Sequence, residues 1–346
     1  MRELVYFYPT GHEKHFEKGH PERPERVEVM VQALKTAGWW EIFPRINPLE
    51  LSDDLIQSIH SKEYTEELER ACRAGMGLNM DTYTTPDSWR LARESAGGAA
   101  AVAGAVWNGD YQRGFALTRP PGHHATSRQG MGFCLLNNIA IASQFLISSS
   151  VPNDGHAERI AIIDLDLHHG NGTQDIFWRR RDVLYISTHQ SPLYPGTGRL
   201  EDIGRGDGEG YTANFPLPPG TGDRGFNTIM EELIIPLLNR FKPEILLVSF
   251  GFDPHWRDPL GHLMLSAKGY GSLITKLIKW SDQNCQGKIA LFLEGGYDLE
   301  AARVCATAVV AALLDQELED SLGRAPRPEG NSWQSIVQQA HSIWNL

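Results

Sequence analysis

Residues 160–172 constrain this chain more than any other stretch of its 346 residues. The segment begins with an apolar run at residues 160–163, which is typical of a buried strand, and it ends in a Gly-Asn-Gly turn. Because side chains alternate along a strand, Asp164, Asp166 and His168 are predicted to point to one side. Two carboxylates are costly to bury among isoleucines unless a cation or hydrogen-bond donors compensate. The stretch therefore predicts metal-type ligands at the carboxyl end of a strand, and a surface Asp/His cluster is the less favoured alternative.

Apolar runs alternate with helical stretches over much of the chain, which is the pattern of an α/β protein. The runs cover residues 4–8, 115–117, 160–163, 183–186, 245–250 and 289–293. The helical stretches cover residues 24–35, 51–74 (two helices), 95–107, 136–147, 225–240, 267–280 and 301–314, with a short helix after residue 330. The alternation predicts a central parallel β-sheet with helices on both faces. No linker or internal repeat interrupts it, so we expect a single domain over residues 1–346, of which residues 1–110 are an elaboration.

Composition and charge argue against several classes of function. A net charge of −11 without any basic run gives no electrostatic footprint for nucleic acid. No apolar run approaches the ~20 residues of a membrane span, and no signal peptide is recognised. Cys72, Cys134, Cys285 and Cys305 form no C-x-x-C pair, which predicts reduced thiols in a reducing compartment. We therefore expect a cytoplasmic protein that binds neither nucleic acid nor membrane, and the sequence leaves its oligomeric state open.

Two adjacent histidines follow the apolar run at residues 115–117. The Arg-Pro-Pro-Gly sequence at residues 119–122 forces a rigid, non-helical loop, which places His123 and His124 at the carboxyl end of a strand. Histidine titrates near neutrality, so the pair suits a general base and a general acid. On this motif alone, two surface histidines in a turn are an equal alternative.

Three further residues have candidate functions, each with a structural alternative. Phe133 is either a pocket wall or, more commonly for such a residue, a core aromatic. Asp253 and Tyr297 each follow a buried strand, where they could instead cap a turn or shield the sheet end. Together, the strand ends supply two aspartates and a histidine for a metal, two histidines for proton transfer and a phenol. Three protein ligands with open positions describe a catalytic zinc-type site, and an oxygen-rich set also suits Fe²⁺, Co²⁺ or Mn²⁺.

Taken together, the motifs resemble the zinc-dependent histone deacetylase and acetylpolyamine amidohydrolase family. They are Arg-Pro-Pro-Gly-His-His-Ala (119–125), Gly-Phe-Cys-Leu-Leu-Asn-Asn (132–138), Asp-Leu-Asp-Leu-His-His-Gly-Asn-Gly-Thr (164–173), Asp253 before proline, and Glu-Gly-Gly-Tyr (294–297). Their order and spacing fit the family from about residue 10 to residue 315. Gly-His-Pro-Glu-Arg-Pro (19–24), Asn171, Asp-Pro-Leu-Gly (258–261) and Glu294 look like its class II and bacterial branch.

The resemblance implies an arginase/deacetylase fold and assigns roles to individual residues. The implied roles are zinc binding for Asp166, His168 and Asp253, catalysis for His123 and His124, orientation of that pair by Asp164 and Asn171, and binding of the substrate carbonyl by Tyr297.

The resemblance also implies a narrow substrate tunnel and structural sites for K⁺ or Na⁺. Phe133 and Tyr194 would flank the tunnel, with Leu260 at its rim. Tyr194 replaces the family's phenylalanine, which bears on the polarity of the tunnel and on its acyl preference. The residues that match the inner cation site are Asp164, Asp166, His168 and Ser187, and those that match the outer site are Phe177, Val183 and Tyr211.

The implied activity is metal-dependent hydrolysis of the amide bond of an acylated amine, which releases acetate or another short acid. N6-acetyl-lysine in proteins or peptides is the favoured substrate, because the acetylpolyamine branch usually carries an early insertion that residues 75–110 lack. A small acetylated amine is the alternative substrate. An arginase-like ureohydrolase would need two manganese ions and more aspartates. A non-catalytic acyl-lysine binder would typically lack a metal ligand, a catalytic histidine or the phenol, and all of these are present.

Overall fold

The computed structural model describes residues 2–148, 155–317 and 319–346. Its eight strands are β1 (Arg2–Phe7), β2 (Arg45–Ile46), β3 (Tyr111–Ala116), β4 (Ile160–Asp164), β5 (Val183–Gln190), β6 (Thr212–Leu217), β7 (Ile245–Phe250) and β8 (Ile289–Leu293). They pair in parallel in one sheet, in the order β2-β1-β3-β8-β7-β4-β5-β6. The predicted parallel sheet is confirmed.

Helices surround this sheet. They are α1 (Glu25–Thr36), α2 (Asp53–Gln57), α3 (Lys62–Ala74), α4 (Ser88–Trp107), α5 (Asn138–Ile147), α6 (Asn171–Phe177), α7 (Asp223–Ile229), α8 (Ile235–Phe241), α9 (Ala267–Asn284), α10 (Leu299–Leu313) and α11 (Gln334–Trp344), and a π-helical turn at Met230–Ile234 joins α7 to α8. Within the described ranges, no helix combines the length and the apolar character needed to cross a bilayer.

Strand residues alternate between two apolar cores, one on each face of the sheet. Leu4 and Tyr6 of β1 pack into one core and Val5 and Phe7 into the other. This alternation explains why the runs are apolar throughout, since a strand that is covered on both faces has no solvent side. The four cysteines are buried and free, as the scattered spacing predicted.

Three elements were not predicted from the sequence. Residues 1–110, which were predicted to elaborate the domain, supply β1 and β2, and both strands extend the same sheet. The strands β2 and β6 were missed, and α6 begins at Asn171, where a turn was predicted. The amides of Gly172 and Thr173 donate to the carbonyl of His123, at 3.0 and 3.1 Å, and so satisfy the start of α6 from a distant loop.

Candidate active site

The candidate site lies where four neighbouring strands end. The strands β3, β8, β7 and β4 are adjacent in the sheet, and their carboxyl ends lead into the segments 117–125, 294–298, 251–258 and 165–169. Parallel strands bring all four segments to one edge. The motifs that are far apart in the sequence therefore meet, as the alternating pattern predicted.

Asp166, His168 and Asp253 form a compact set of metal-type ligands. Potential ligand atoms of these three residues lie within 4.8 Å of one another. His168 Nδ1 is 3.3 Å from Asp166 Oδ1 and 3.2 Å from Asp253 Oδ2. Asp253 Oδ2 is buried without a hydrogen-bond partner, despite that proximity. A buried carboxylate oxygen without a donor is costly unless a cation compensates.

The surrounding backbone holds these carboxylates in place. The amide of Gly295 donates to Asp166 Oδ2 at 2.8 Å, and the amide of Leu167 donates to Asp253 Oδ1 at 3.2 Å. A Cβ atom added at Gly251 would lie 1.9 Å from Asp166 Oδ2, and one added at Gly295 would lie 2.1 Å from Asp253 Oδ2. Only glycine fits at these two positions, because the carboxylates occupy the space of a side chain.

Electrostatics also favour a cation between the ligands. Burial, followed by repulsion from Asp166, raises the pKa of the Asp253 carboxyl to about 7. A divalent ion bound by both carboxylates and by His168 would relieve that repulsion. The donor set, its burial and its unpaired oxygen therefore fit a divalent metal with open positions.

His123 packs against the second histidine of the pair and is tied to a carboxylate. Its Nδ1 lies 3.0 Å from Asp164 Oδ2, and its Nε2 lies 3.7 Å from Asp166 Oδ1. Burial opposes protonation of His123, but Asp164, Asp166 and Glu294 outweigh it and raise its pKa to about 10. His123 therefore favours the imidazolium form.

His124 has a different environment from its neighbour, although the two ring centroids are 4.1 Å apart. Its Nδ1 lies 2.8 Å from Asn171 Oδ1, a neutral acceptor. Burial and repulsion from His123 and His168 lower the pKa of His124 well below its usual value. Because Nδ1 donates to the amide oxygen, Nε2 carries the lone pair. The alternative of two surface histidines in a turn is excluded, since both are buried.

Asp164 belongs with the histidine pair and not with the metal-type cluster. Strand alternation grouped it with Asp166 and His168, but β4 ends at Asp164 and the chain beyond is irregular. The hydroxyl of Tyr185 donates to Asp164 Oδ2 at 3.2 Å, and the amide of Asp166 donates to Oδ1 at 3.2 Å. These bonds fix the carboxylate against His123. Asp253 takes the third place in the cluster.

Tyr297 faces this site from the end of β8. The ring of Phe133 meets its ring edge-on at 5.8 Å, and the guanidinium of Arg26 lies 4.8 Å from the ring centre. Its amide donates to Asp258 Oδ2 at 2.6 Å. Phe133 has φ 70°, a left-handed conformation that a bulky residue seldom adopts, and it packs edge-on against His20 at 4.6 Å. Phe133 thus lines the site and is only partly buried, unlike a core aromatic.

Tyr194 lies against His124 and His168. Its ring is edge-on to His124 at 5.2 Å and to His168 at 6.2 Å, and 38% of the residue is exposed. A Cβ atom added at Gly132 would lie 2.4 Å from the His124 ring and 3.1 Å from the Tyr194 ring. Leu260 is half-buried, and its amide donates at 3.0 Å to Asp258, which also binds the amide of Tyr297.

The residues predicted to bind K⁺ or Na⁺ lie on the β4–β6 side of the sheet. Ser187 is buried and pairs in register with Asp164, and its hydroxyl is 2.9 Å from His189 Nδ1. Phe177 ends α6, Val183 begins β5, and the carbonyl of Tyr211 accepts the amide of Tyr185 at 2.9 Å. Both cation sites stay a prediction.

A buried ion network behind Tyr297 was not foreseen. Glu22, Arg26 and Arg119 are completely buried, although charged side chains are usually solvated. Glu22 Oε1 accepts from Arg119 Nε at 2.8 Å and from Arg26 at 3.0 Å. Arg26 also donates to the carbonyls of Glu294 and Gly296, at 2.5 and 2.6 Å, so the network supports the segment that carries Tyr297. The sequence signal was faint, because charged residues flanked by prolines usually mark surface.

We predict that Glu22→Gln lowers the free energy of unfolding by about 1.5–3 kcal/mol, since the amide weakens hydrogen bonds to two buried arginines. Burial opposes ionisation of Glu22, but Arg119 and Arg26 outweigh it and lower its pKa to about 2. The folded pKa lies below the unfolded value of about 4.3, so this stabilisation is present above that pH and is lost as the pH falls towards 2. Urea unfolding at pH 7 and pH 3 should show a smaller difference at pH 3. The exposed Glu17→Gln serves as the control, and equal stability of both variants at pH 7 would contradict the prediction.

The fold and the site define an arginase/deacetylase-type hydrolase. The family model described as "Histone deacetylase domain" matches residues 20–313. This chain is 42% identical over 285 residues to a probable deacetylase of Archaeoglobus fulgidus, covering 82% of this chain and 78% of the relative. It is 36% identical over 297 residues to a histone deacetylase-like amidohydrolase of Pseudomonas aeruginosa, covering 85% and 77%.

A solved structure shares the fold across nearly the whole chain. The crystal structure of the HDA15 HD domain superposes with a TM-score of 0.89 at 33% identity, covering 99% of this chain and 95% of that one. The chain belongs to the histone deacetylase family, and it is a hydrolase of that family.

Proposed function

We propose that this protein is a single-domain deacetylase that hydrolyses the amide bond of N6-acetyl-lysine in proteins or peptides, releasing acetate and the free amine. The observation that carries the proposal is the convergence of a metal-type cluster, a histidine pair and a phenol at one sheet edge. The exposed flank at Tyr194 and the absence of an early insertion favour a peptide over a small acetylated amine. Buried free cysteines support a reducing compartment, and we place the protein in the cytoplasm.

Asp166, His168 and Asp253 would hold the divalent cation. Zinc is the favoured ion because the set has three protein ligands, and the two carboxylates would also accept Fe²⁺, Co²⁺ or Mn²⁺. When bound, the cation supplies Lewis acidity towards the acyl carbonyl and a nucleophilic water near neutral pH. His168 would present Nδ1, the nitrogen that faces both carboxylates.

His124 is the residue that we assign as general base. Its Nε2 carries the lone pair, because Nδ1 donates to Asn171. A lowered pKa keeps this imidazole neutral and able to take a proton from water as the oxygen attacks the acyl carbon. Asn171 fixes the tautomer of His124 and adds no charge, whereas an aspartate at this position would add a negative charge.

His123 is the residue that we assign as general acid. The carboxylates around it favour the imidazolium form, and Asp164 orients the ring through Nδ1. A bound cation would lower the pKa of both histidines. The pKa of His123 would still be the higher of the two, because only His123 is hydrogen-bonded to a carboxylate. The carbon–nitrogen bond then breaks as the leaving nitrogen takes a proton, which gives a carboxylate and an amine.

Tyr297 would donate its hydroxyl to the carbonyl oxygen of the substrate. That oxygen becomes negative as water adds to the carbonyl. A hydrogen-bond donor already directed at the oxygen stabilises the charged transition state more than it stabilises the neutral ground state. Asp258, which binds the amide of Tyr297, and the Arg26 guanidinium near its ring hold the tyrosine at the site. The hydroxyl does not need to ionise, and burial raises its pKa well above the usual value.

We predict that Tyr194→Phe shifts acyl preference towards longer apolar chains. The hydroxyl makes one wall of the proposed tunnel more polar. Removing it should raise the ratio of kcat/KM for butyryl-lysine to kcat/KM for acetyl-lysine by about fivefold, equivalent to roughly 1 kcal/mol. Steady-state kinetics on matched peptides measure this ratio. Tyr270→Phe, whose ring packs in the core against Phe250 and Phe252, is the control. An unchanged ratio in the Tyr194→Phe variant would show that the Tyr194 hydroxyl does not influence acyl preference.

A matched panel of substrates tests the proposed function. Metal-stripped protein refilled with zinc would be assayed for acid release from an acetyl-lysine peptide, acetylputrescine, acetylspermidine and longer acyl-lysine peptides. We expect the peptide to be turned over fastest. Turnover of polyamines alone would replace the proposal with a small-molecule amidohydrolase. Zinc-bound protein that turns over nothing in the panel would contradict the proposal and favour an acyl-lysine binder.

A further inference from the structure

Glu294 is a fully buried carboxylate beside the histidine pair, and the proposed chemistry gives it no contact with the substrate. It follows β8 directly and points across to the loop that follows β3, which carries the histidine pair. Its Oε2 accepts the amide of Gly122 at 2.7 Å and the amide of His123 at 3.1 Å, and its Oε1 accepts the hydroxyl of Ser249 at 3.0 Å. Each oxygen is therefore occupied by a donor.

These hydrogen bonds lie beyond the point where the backbone hydrogen bonds between β3 and β8 end. The last register pair between β3 and β8 joins Ala116 to Phe292. Beyond it the register ends, and the buried amides of Gly122 and His123 have no strand to pair with. Buried amides need an acceptor, and the Glu294 side chain provides one for both. A glutamate thus takes the place of a neighbouring strand.

On the β8 side, the Thr118 hydroxyl donates to the carbonyl of Leu293 at 2.5 Å at the start of this loop, and the Glu294 carboxylate binds the loop at Gly122 and His123. The amide of Asn138 excludes any side chain at Gly122, since an added Cβ would lie 2.5 Å from it. The carbonyl of His123 is taken by the first amides of α6, and its Nδ1 faces Asp164. The His123 backbone is thus held at its carbonyl from α6 and at its amide from Glu294.

The same residue also connects the loop to the other parts of the site. The next amide, that of Gly295, donates to Asp166, and Tyr297 lies two residues further on. His123, Cys134 and Glu294 also place ligand-type atoms within 4.8 Å of one another. The occupied oxygens of Glu294 argue that this group holds a loop and does not bind an ion.

We propose that Glu294 is a positioning residue, which sets the distance between the histidine pair and the segment carrying Tyr297 by binding the amides of Gly122 and His123. This inference rests on the proposed function for its kinetic consequence, but the hydrogen bonds can be tested without turnover. Alanine removes the acceptor. Glutamine retains one acceptor oxygen at the two amides and removes the charge, so the pair of variants separates geometry from charge.

The test combines amide exchange with kinetics on zinc-loaded protein. Glu294→Ala should speed hydrogen exchange at Gly122 and His123, and should lower kcat by about 10²-fold at unchanged KM, because a displacement of about 1 Å has that effect. Glu294→Gln should keep exchange slow and retain most of kcat. Ser249→Ala, which removes only the partner of the other oxygen, should lose far less than Glu294→Ala.

Each alternative outcome has a distinct meaning. A glutamine variant as impaired as the alanine variant, or an alanine variant with unchanged exchange at the two amides, would overturn the inference. Slow exchange in β4 verifies that each variant is folded. If the wild-type protein turns over no acylated amine, the proposed function fails, while the exchange measurement still decides the role of Glu294.

Discussion

Replacing Tyr297 with phenylalanine is expected to lower turnover by about 10²–10³-fold, the usual cost of losing one donor to a developing oxyanion. The hydroxyl makes no hydrogen bond to any described residue, so its loss should not disturb the fold. The ring contacts with Phe133 and Arg26 would remain. The measurement is kcat of the zinc-refilled protein by acetate release, together with metal analysis of the same sample.

A second tyrosine provides the matched control. The hydroxyl of Tyr270 is buried without a partner in the described structure, and its ring packs against Phe250 and Phe252. Tyr270→Phe makes the same chemical change outside the site and should keep turnover and metal content. Turnover of Tyr297→Phe equal to that of Tyr270→Phe would refute the role of Tyr297.

Asp253→Asn should have opposite effects on the metal-free and the zinc-loaded protein. Burial and Asp166 raise the pKa of Asp253 to about 7, far above its value in the unfolded chain. A carboxyl with a raised folded pKa costs stability once the pH exceeds its unfolded pKa of about 3.9, and the full cost is reached above the folded pKa. At pH 8, the neutral asparagine should therefore raise the Tm of the metal-free protein.

Zinc should reverse this order. Ligand binding stabilises the wild-type protein by about 2.7 kcal/mol at 100 times Kd, whereas the variant lacks one charged ligand and should gain little. Its turnover should fall by at least about 10²-fold. Thermal unfolding with and without zinc measures both effects. A metal-free variant less stable than the wild type, or an equal zinc shift in both, would contradict the assignment of Asp253.

The sequence predicted the strands that carry the site because they are buried on both faces. The run at residues 245–250 is apolar except for Ser249, which is typical of a strand covered on both faces, and its carboxyl end locates Asp253. The strand β6 was missed because Thr-Ala-Asn-Phe-Pro-Leu contains a proline and polar residues, which are tolerated at an edge strand. The strand β2 has only two residues, too few to give a pattern.

Within the site, the sequence located residues better than it paired them. Period-two alternation placed Asp164 with Asp166 and His168, but the strand ends at Asp164, so the rule does not apply beyond it. The third member, Asp253, follows the end of β7, and its Oδ1 accepts the amide of Leu167, 86 residues earlier in the sequence. The strand ends offered Asp253 as a candidate metal-type carboxylate, and the resemblance to a family assigned it to a set with Asp166 and His168.

Buried charges were the least predictable part of the molecule. Arg26 is four residues from Glu22 and Arg119 is 97 residues from it, and each of the three alone is typical of a solvated surface. Their burial is stabilised by the ion pairs that Glu22 forms with the two arginines. These pairs form only when the segment around α1 packs against the residues that follow β8. Glu294 likewise acquires its role from two amides more than 170 residues away.

The central claim is that one divalent ion at Asp166, His168 and Asp253 enables hydrolysis of an acyl-lysine amide. We would titrate metal-stripped protein with zinc and follow acetate release from an acetyl-lysine peptide. We predict that the stripped protein releases no acetate and that release reaches a plateau at one equivalent of zinc. The Asp253→Asn variant should show no such plateau. Full release by the stripped protein, or none with one zinc bound, would contradict the central claim.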